Sequence, residues 1–307
     1  MPQILPFRGL RYTAAAGPLS ELLAPPYDVI SPAEQAALAA RNPRNAVRLE
    51  LAEGGEERYA RVRELVEAWT GEGALARDEL PMLYVYEQEF SEEGKRFVRR
   101  ALLAAVEAQA WEEGAVLPHE YTMSGPKEDR LRLLEETGVQ FSPVFMLARD
   151  RAGQLRQFID ETVTARAPDA TAEAPAGEHH RLWLVEASRL EMRRLAPLLS
   201  ETFTIADGHH RYETAVMYKA RRLEREGTLP RDHPARFAMT AIVAADDPGL
   251  VIRSLHRVVP RPAPGDWMGT LSANFHIEPV VADPGPDEMA ELVKNHPGFV
   301  LAAGLDG

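Results

Sequence analysis

Strand-like and helix-like segments follow one another in this chain without a fixed rhythm, and that order constrains the fold more than any other feature. A doubly wound parallel sheet needs strict alternation of strand and helix. Here Met82 to Phe90, with its Tyr-Val-Tyr alternation, is followed directly by a second strand-like run, Phe97 to Val106. Only then comes a polar loop, a helix over Lys127 to Glu136 and a third strand-like run, Val139 to Leu147. The pattern predicts an α+β protein.

The flanking segments fill in the outline. Ile4 to Phe7 reads as a strand, and Pro25-Pro26 holds Ala24 to Ile30 extended. Ser31-Pro32-Ala33-Glu34 is a helix start, with an N-cap serine, a proline at the first helical position and a carboxylate at the positive end, so Ala33 to Ala40 should be helical. Ala46 to Leu51 reads as a strand. Glu56 to Thr70 has helical spacing, with Tyr59, Val62, Leu65, Val66 and Trp69 on a core-facing side. Residues 165–177, rich in Ala, Pro, Thr and acid, read as a surface excursion or linker. Strands are expected over Arg181 to Val185, Thr202 to Ala206 and Phe237 to Ala245, with a long helix from His210 to Glu226 ended by Gly227.

Two domains follow from this reading, residues 1–255 and 256–307. The second carries a helix (Asp266 to Asn274), a strand (Ile277 to Val280), a helix (Asp287 to Asn295) and a strand (Phe299 to Ala303). That last strand enters a Gly-Leu-Asp-Gly turn with no partner strand after it, so this smaller α/β portion is expected to be a truncated piece of a longer protein.

Composition excludes several classes of chemistry. No cysteine occurs, which removes disulfides, thiolate nucleophiles, zinc ribbons and iron–sulfur clusters. The formal charge of −12 disfavours nucleic acid as a partner, because phosphate backbones are bound by excess lysine and arginine. No run approaches the roughly 20 apolar residues of a membrane span, and Met1-Pro2-Gln3-Ile4 is no signal peptide, so the expected address is the cytoplasm, with no membrane partner. Lysines number only four, so Lys127, inside a motif, is less easily dismissed as surface decoration.

The strongest local feature is Thr202-Phe203-Thr204-Ile205-Ala206-Asp207-Gly208-His209-His210-Arg211-Tyr212-Glu213-Thr214. A strand runs into Asp-Gly and a helix begins at once, so backbone N–H groups at the positive helix end face the loop. Gly208 permits close approach of a ligand, His209 and His210 add donors, and the planar fork of Arg211 can grip two phosphate oxygens. These are the parts of a phosphate site. The competing reading is a plain β-to-α turn in which Asp207 caps the helix. The paired histidines are poorly placed to share one zinc ion, since adjacent residues point about 100° apart on a helix. His179-His180, beside the linker, reads as surface.

A second feature is His119-Glu120-Tyr121-Thr122 followed by Gly125-Pro126-Lys127-Glu128-Asp129-Arg130. Lys127 and Arg130, three apart at a helix start, would put two cations on one face beside His119, while Glu120 or Asp129 could hold Mg²⁺. A capped amphipathic helix with compensating charges explains the same residues equally well. A third is Pro25-Pro26-Tyr27-Asp28, where proline stiffening preorganises a carboxylate as a general base requires, although Asp28 alone also suits a turn. Arg48 and Glu50, alternate residues on one strand face, make a similar weak claim. Gly71-x-Gly73-x-x-Ala76 follows a helix instead of a strand and is read as a cap, and Ser124-x-x-Lys127 lacks the other β-lactamase motifs.

Ala206-Asp207-Gly208-His209-His210-Arg211-Tyr212-Glu213-Thr214-Ala215 resembles the phosphate box of the ParB/sulfiredoxin superfamily, a strand followed by Gly-x-x-Arg opening a helix. Together with Ala24 to Ile30, Pro118-His119-Glu120 and Gly125-Pro126-Lys127, the chain looks like a widespread prokaryotic family labelled domain of unknown function 1015, associated with phosphorylation of free L-serine by a nucleotide. The resemblance implies a ParB/sulfiredoxin-like mixed sheet with surrounding helices. It also implies that Asp207, Gly208, His209, His210 and Arg211 bind nucleotide phosphates, and that an early acidic residue, here Asp28, assists the serine hydroxyl. ParB itself has Gly-Glu-Arg-Arg where this chain has Gly208-His209-His210-Arg211, and no DNA-reading helical domain is evident.

The reading that results is a small-molecule kinase using ATP or ADP with Mg²⁺ and phosphorylating the hydroxyl of L-serine. Asp28, His209 and Arg211 are its catalytic candidates. Asp207 to Arg211, Thr214, His119, Lys127 and Arg130 are candidates for the nucleotide, and Glu120 and Asp129 for the metal. A nucleotide-sensing module with little or no hydrolysis, and a phosphatase or hydrolase using the histidines, are the rivals; a homodimer is left open.

Overall fold

The computed structural model describes residues 2–120, 124–174, 177–252, 267–273 and 275–276. The chain divides into two compact units, Met1–Val251 and Ile252–Gly307. In the first, β1 (Ile4–Leu5) and β2 (Leu10–Tyr12) precede four helices, α1 (Leu19–Leu22), α2 (Pro32–Arg41), α3 (Val47–Glu50) and α4 (Arg58–Gly71). Then come β3 (Leu75–Arg77), the long pair β4 (Met82–Glu92) and β5 (Lys95–Glu107), β6 (Val116–Leu117), α5 (Ser124–Thr137), β7 (Val144–Ala148) and α6 (Gln154–Ala165). The unit continues through β8 (Ala170–Glu173), β9 (His179–Glu186), α7 (Arg189–Arg194), β10 (Phe203–Asp207), α8 (His209–Glu226) and β11 (Phe237–Ala244). In the second unit, α9 (Trp267–Ser272) is described, while the expected elements at Ile277 to Val280, Asp287 to Asn295 and Phe299 to Ala303 lie outside the described residues.

The protein is α+β, built on a large mixed sheet with helices around it. Among the described residues the sheet has nine strands in the order β6-β10-β7-β11-β5-β4-β9-β8, with β1 pairing β5 beyond the end of β4, and β2–β3 form a separate ribbon. The β10–β6 and β11–β7 pairs are parallel and the rest antiparallel. Alternation puts Leu83, Val85, Leu102, Ala104 and Val106 on one face, where they pack with Phe158 of α6 and Tyr212 of α8. Ala101, Ala241 and Val243 form a smaller cluster with Tyr86, Leu103 and Phe145. A further core joins α1, α3, α4, β3 and α5 through Leu22, Leu49, Tyr59, Val62, Trp69, Leu75 and Leu133.

Local chemistry explains the elements. At α2 the Ser31 hydroxyl accepts the Glu34 N–H at 3.3 Å and the Glu34 carboxylate accepts the Ser31 N–H at 2.8 Å, a reciprocal cap. α8 starts at Gly208, with φ of +88°, and stops at Gly227. Two segments differ from the sequence expectation. Ala46 to Leu51 is not a strand: α3 is a four-residue helix that buries Val47, Leu49 and Glu50, and a stretch that short satisfies period 2 as readily as 3.6. Residues 165–177 are not all linker, because β8 pairs with β9 at the sheet edge, where an alternating half-exposed strand needs little apolar side chain. His180 is accordingly no free surface residue, as its ring stacks on Tyr86 and its Nδ1 lies 2.6 Å from the Tyr86 hydroxyl.

Candidate functional site

Strand β10 shifts register between Ile205 and Asp207, and the chain turns at Gly208 straight into α8. The first N–H groups of such a helix have no acceptor within the helix, and they carry the positive end of its dipole. Asp207 does not cap this end. Its carboxylate instead accepts from Arg211 Nη2 at 2.5 Å, while Arg211 Nη1 donates to the Pro143 carbonyl. A Cβ at residue 208 would stand 2.9 Å from the Arg211 guanidinium carbon. The glycine therefore serves a close approach, and the group that approaches is the guanidinium of Arg211. Only 12 % of the Arg211 side chain is exposed, against 52 % for Asp207.

Behind the turn lies a histidine pair. His209, 2 % exposed, accepts the His119 backbone N–H on Nε2 at 3.2 Å, and the rings meet edge to face at 4.5 Å. His119 Nδ1 stands 2.7 Å from the Ile205 carbonyl, which can only accept, so His119 carries its proton on Nδ1. By the same logic Nε2 of His209 is bare and Nδ1 holds the proton. The Glu120 carboxylate lies 3.2 Å from that Nδ1, without the alignment of a hydrogen bond. Burial, then the neighbouring His119, lowers the pKa of His209 and favours its neutral form.

On the other side of the turn the early motif returns. Tyr27, Asp28 and Val29 form a single 3₁₀ turn after Pro26, not an extended segment, and Asp28 is exposed. The Arg130 guanidinium carbon sits 4.4 Å over the Tyr27 ring. The phenol of Tyr27, raised in pKa by burial, lies in the combined field of Arg130, Asp28, Arg211 and Asp207. Glu50, at the end of α3 and 9 % exposed, lies in the field of Arg130, Arg211 and Asp28. Its Oε1 accepts from the Ser142 hydroxyl, its Oε2 has no hydrogen-bond partner, and burial raises its pKa. A cavity of about 420 Å³ opens beside it, lined by Gln35, Glu50, Arg58, Tyr59, Asp129 and Arg130.

The chain matches the family model for a protein of unknown function, DUF1015, over residues 4–304. It belongs to the DUF1015 family. No curated protein and no solved structure is matched.

In this DUF1015 protein, then, the 27–28, 130 and 207–211 segments share one electrostatic neighbourhood. Other candidates are committed elsewhere. Thr214 is buried at 3 % exposure, its hydroxyl 3.5 Å from the Lys127 carbonyl, so it joins α8 to α5. Lys127 forms an ion pair at 2.6 Å with Glu213, so the expected joint face with Arg130 is already divided between two carboxylates. His210 is half-buried on the first turn of α8. Both carboxylate oxygens of Asp129 are engaged by neighbouring side chains. Its Oδ1 accepts from Arg58 Nη2 at 2.6 Å and the Tyr59 hydroxyl at 2.8 Å, and its Oδ2 from Arg130 Nη2 at 2.6 Å. Glu120 faces His209, and among the described residues no three His, Asp or Glu side chains gather as a metal site. The carboxylates expected to hold Mg²⁺ are thus each engaged with a neighbouring side chain of the protein. Residues that sequence reasoning missed are Ser142 and Arg58, the distant arginine partner of Asp129. Among the described residues no helix is long and apolar enough to cross a membrane.

Proposed function

We propose that this protein is a small-molecule phosphotransferase, with a ParB/sulfiredoxin-like phosphate turn at Gly208, that moves the terminal phosphoryl group of ATP or ADP to the hydroxyl of free L-serine. One observation carries the reading. Three segments far apart in the chain bring a helix start, two guanidinium groups and an exposed carboxylate into one field, which is the equipment phosphoryl transfer needs. In that reaction the protein mainly positions groups and offsets charge. The α8 N–H groups and Arg211 take equatorial phosphate oxygens, with Asp207 and the Pro143 carbonyl fixing the guanidinium plane until phosphate replaces one of them. Asp28 accepts the serine hydroxyl proton, the hydroxyl oxygen bonds to phosphorus, and the bond from phosphorus to the bridging oxygen breaks, leaving the shortened nucleotide. His209, neutral and Nδ1-protonated, supports the turn from behind.

The test is incubation with ATP or ADP, Mg²⁺ and L-serine, with O-phosphoserine read by mass spectrometry. Arg211→Ala should lower turnover by about two to three orders of magnitude, the range for removing one preorganised donor from a developing charge, while leaving the fold intact. Parent-like turnover in that variant would refute its role. Nucleotide binding without phosphoserine from either donor would favour the sensing module, a reading supported by the full engagement of Arg211 with Asp207 and Pro143.

A further inference from the structure

Glu50 combines features that ordinary core packing does not explain. It is a carboxyl group at 9 % exposure, on a four-residue helix, with one oxygen satisfied by the Ser142 hydroxyl and the other without any partner. Buried polar atoms are almost always paired, so an orphan beside a cavity asks for a group that completes it. The cavity beside Glu50 also presents Arg130, and its volume of about 420 Å³ is ample for a small metabolite. Charge decides which group fits. The groups whose charges reach Glu50 are Arg130 from α5, Arg211 from α8 and Asp28 from the 3₁₀ turn. A second anion would find the guanidinium groups first, because Glu50 offers it only repulsion once ionised. A cationic group finds in Glu50 the one buried carboxyl oxygen of this neighbourhood that is unspent.

We propose that Glu50 Oε2 anchors the ammonium group of the phosphoryl acceptor, making the site selective for α-amino acids, whose carboxylate turns to Arg130 and whose hydroxyl turns to Asp28. This rests on the phosphotransferase reading and deepens it by assigning the acceptor subsite. Ser142 is a positioning residue, since its hydroxyl holds Oε1 and thereby aims Oε2. Burial raises the pKa of Glu50 and an approaching ammonium lowers it, so acceptor binding shifts the carboxyl toward its ionised form.

The experiment compares L-serine with 3-hydroxypropanoate, the same skeleton without the amine, as acceptors for the parent, Glu50→Gln and Ser142→Ala. In the parent L-serine should be strongly preferred. Glu50→Gln should raise KM for L-serine about 10- to 100-fold, the span of one lost charge-assisted hydrogen bond, with kcat changed little and KM for 3-hydroxypropanoate unchanged. Ser142→Ala, which keeps the carboxyl and guards against a folding failure of the first variant, should raise KM for L-serine several-fold and likewise spare the analogue. Equal use of both acceptors by the parent, or an unchanged preference in Glu50→Gln, would overturn the subsite while the kinase reading stands. If the parent phosphorylates neither, the kinase reading fails, and calorimetry with L-serine in two buffers of different ionisation enthalpy decides the subsite alone. Binding with proton release that Glu50→Gln abolishes upholds it, and absence of L-serine binding to the parent overturns it.

Discussion

Replacing Gly208 by alanine separates the backbone role of that glycine from its role in the site. An L-residue held at φ of +88° pays roughly 1–2 kcal/mol for left-handed backbone, and loses part of that penalty, about 0.4–1 kcal/mol, because alanine also restricts the unfolded chain. The net destabilisation is about 1 kcal/mol. Gly153, the N-cap of α6, shares the left-handed conformation at φ of +65°, yet a Cβ there meets nothing within 4 Å among the described residues. The two substitutions should therefore cost similar stability in urea denaturation followed by circular dichroism. They diverge at the site. The new Cβ at 208 stands 2.9 Å from the Arg211 guanidinium, which must retreat about 0.5 Å to reach ordinary contact near 3.4 Å. A displacement of 1 Å in a positioning group can lower a rate about a hundredfold, so half that distance predicts about a tenfold loss of phosphoserine formation in Gly208→Ala. Gly153→Ala should keep full turnover. Equal turnover in the two variants would refute the claim that close packing of Arg211 on residue 208 sets the phosphate position.

The histidine pair predicts an unusual tautomer: ¹⁵N–¹H spectra should show His209 neutral and protonated on Nδ1, titrating below the ordinary histidine value of 6.5, and an Nε2-protonated His209 would contradict the bond from the His119 N–H. Because the folded state resists protonation there, His209 makes stability fall as the pH drops through about 6.5, which His209→Gln should abolish in pH-dependent melts. At Asp129 burial alone would raise the carboxyl pKa, but Arg130, with the hydrogen bonds from Tyr59 and Arg58, brings it below 3.8. Its contribution is present above 3.8 and lost as the pH falls through the lower folded value, so Asp129→Asn should cost about 1–3 kcal/mol at pH 7 and nothing at the acid extreme, as urea midpoints against pH will show. Tyr212→Phe removes a hydroxyl that donates to the Gln109 carbonyl and accepts from its N–H, both at 2.9 Å, and should cost about 1–3 kcal/mol by the same measurement.

Much of the architecture was legible because local rules wrote it. The proline-serine-glutamate start of α2, the long apolar stripe of α8 with its terminal Gly227, and the alternation of β4 and β5 each state their period over enough residues to be unambiguous. α3 was not legible, since its Val-Arg-Leu-Glu fits a strand on paper, and only the burial of Glu50 beside Leu49, with Arg48 exposed, breaks the alternation. The edge strand β8 was hidden by a linker-like composition, because pairing through backbone alone leaves little trace in side chains. The strand-to-helix turn itself was visible as Asp207 to Arg211. Which charges meet was not. Asp129 pairs with Arg58 across 71 residues, and Thr214 reaches Lys127 across 87, and no local pattern encodes contacts at such separations.

Those long-range pairs change how the site should be understood electrostatically. A protein of formal charge −12 has no general attraction for a nucleotide, so any positive potential must be made locally and kept from collapsing onto nearby acid. The arrangement does both by giving each arginine a fixed counterion of different accessibility. Arg130 is held by half-buried Asp129, which also binds Arg58 and Tyr59 and is costly to release, so its guanidinium stays over the Tyr27 ring. Arg211 is held by Asp207, which is half exposed and is rehydrated at little cost on release. The first pair is the harder to separate and the second the easier. Glu50 completes the set as the buried carboxyl of the neighbourhood whose second oxygen has no hydrogen-bond partner in the protein, and on the proposed reading a cationic group of the acceptor is the partner left for it.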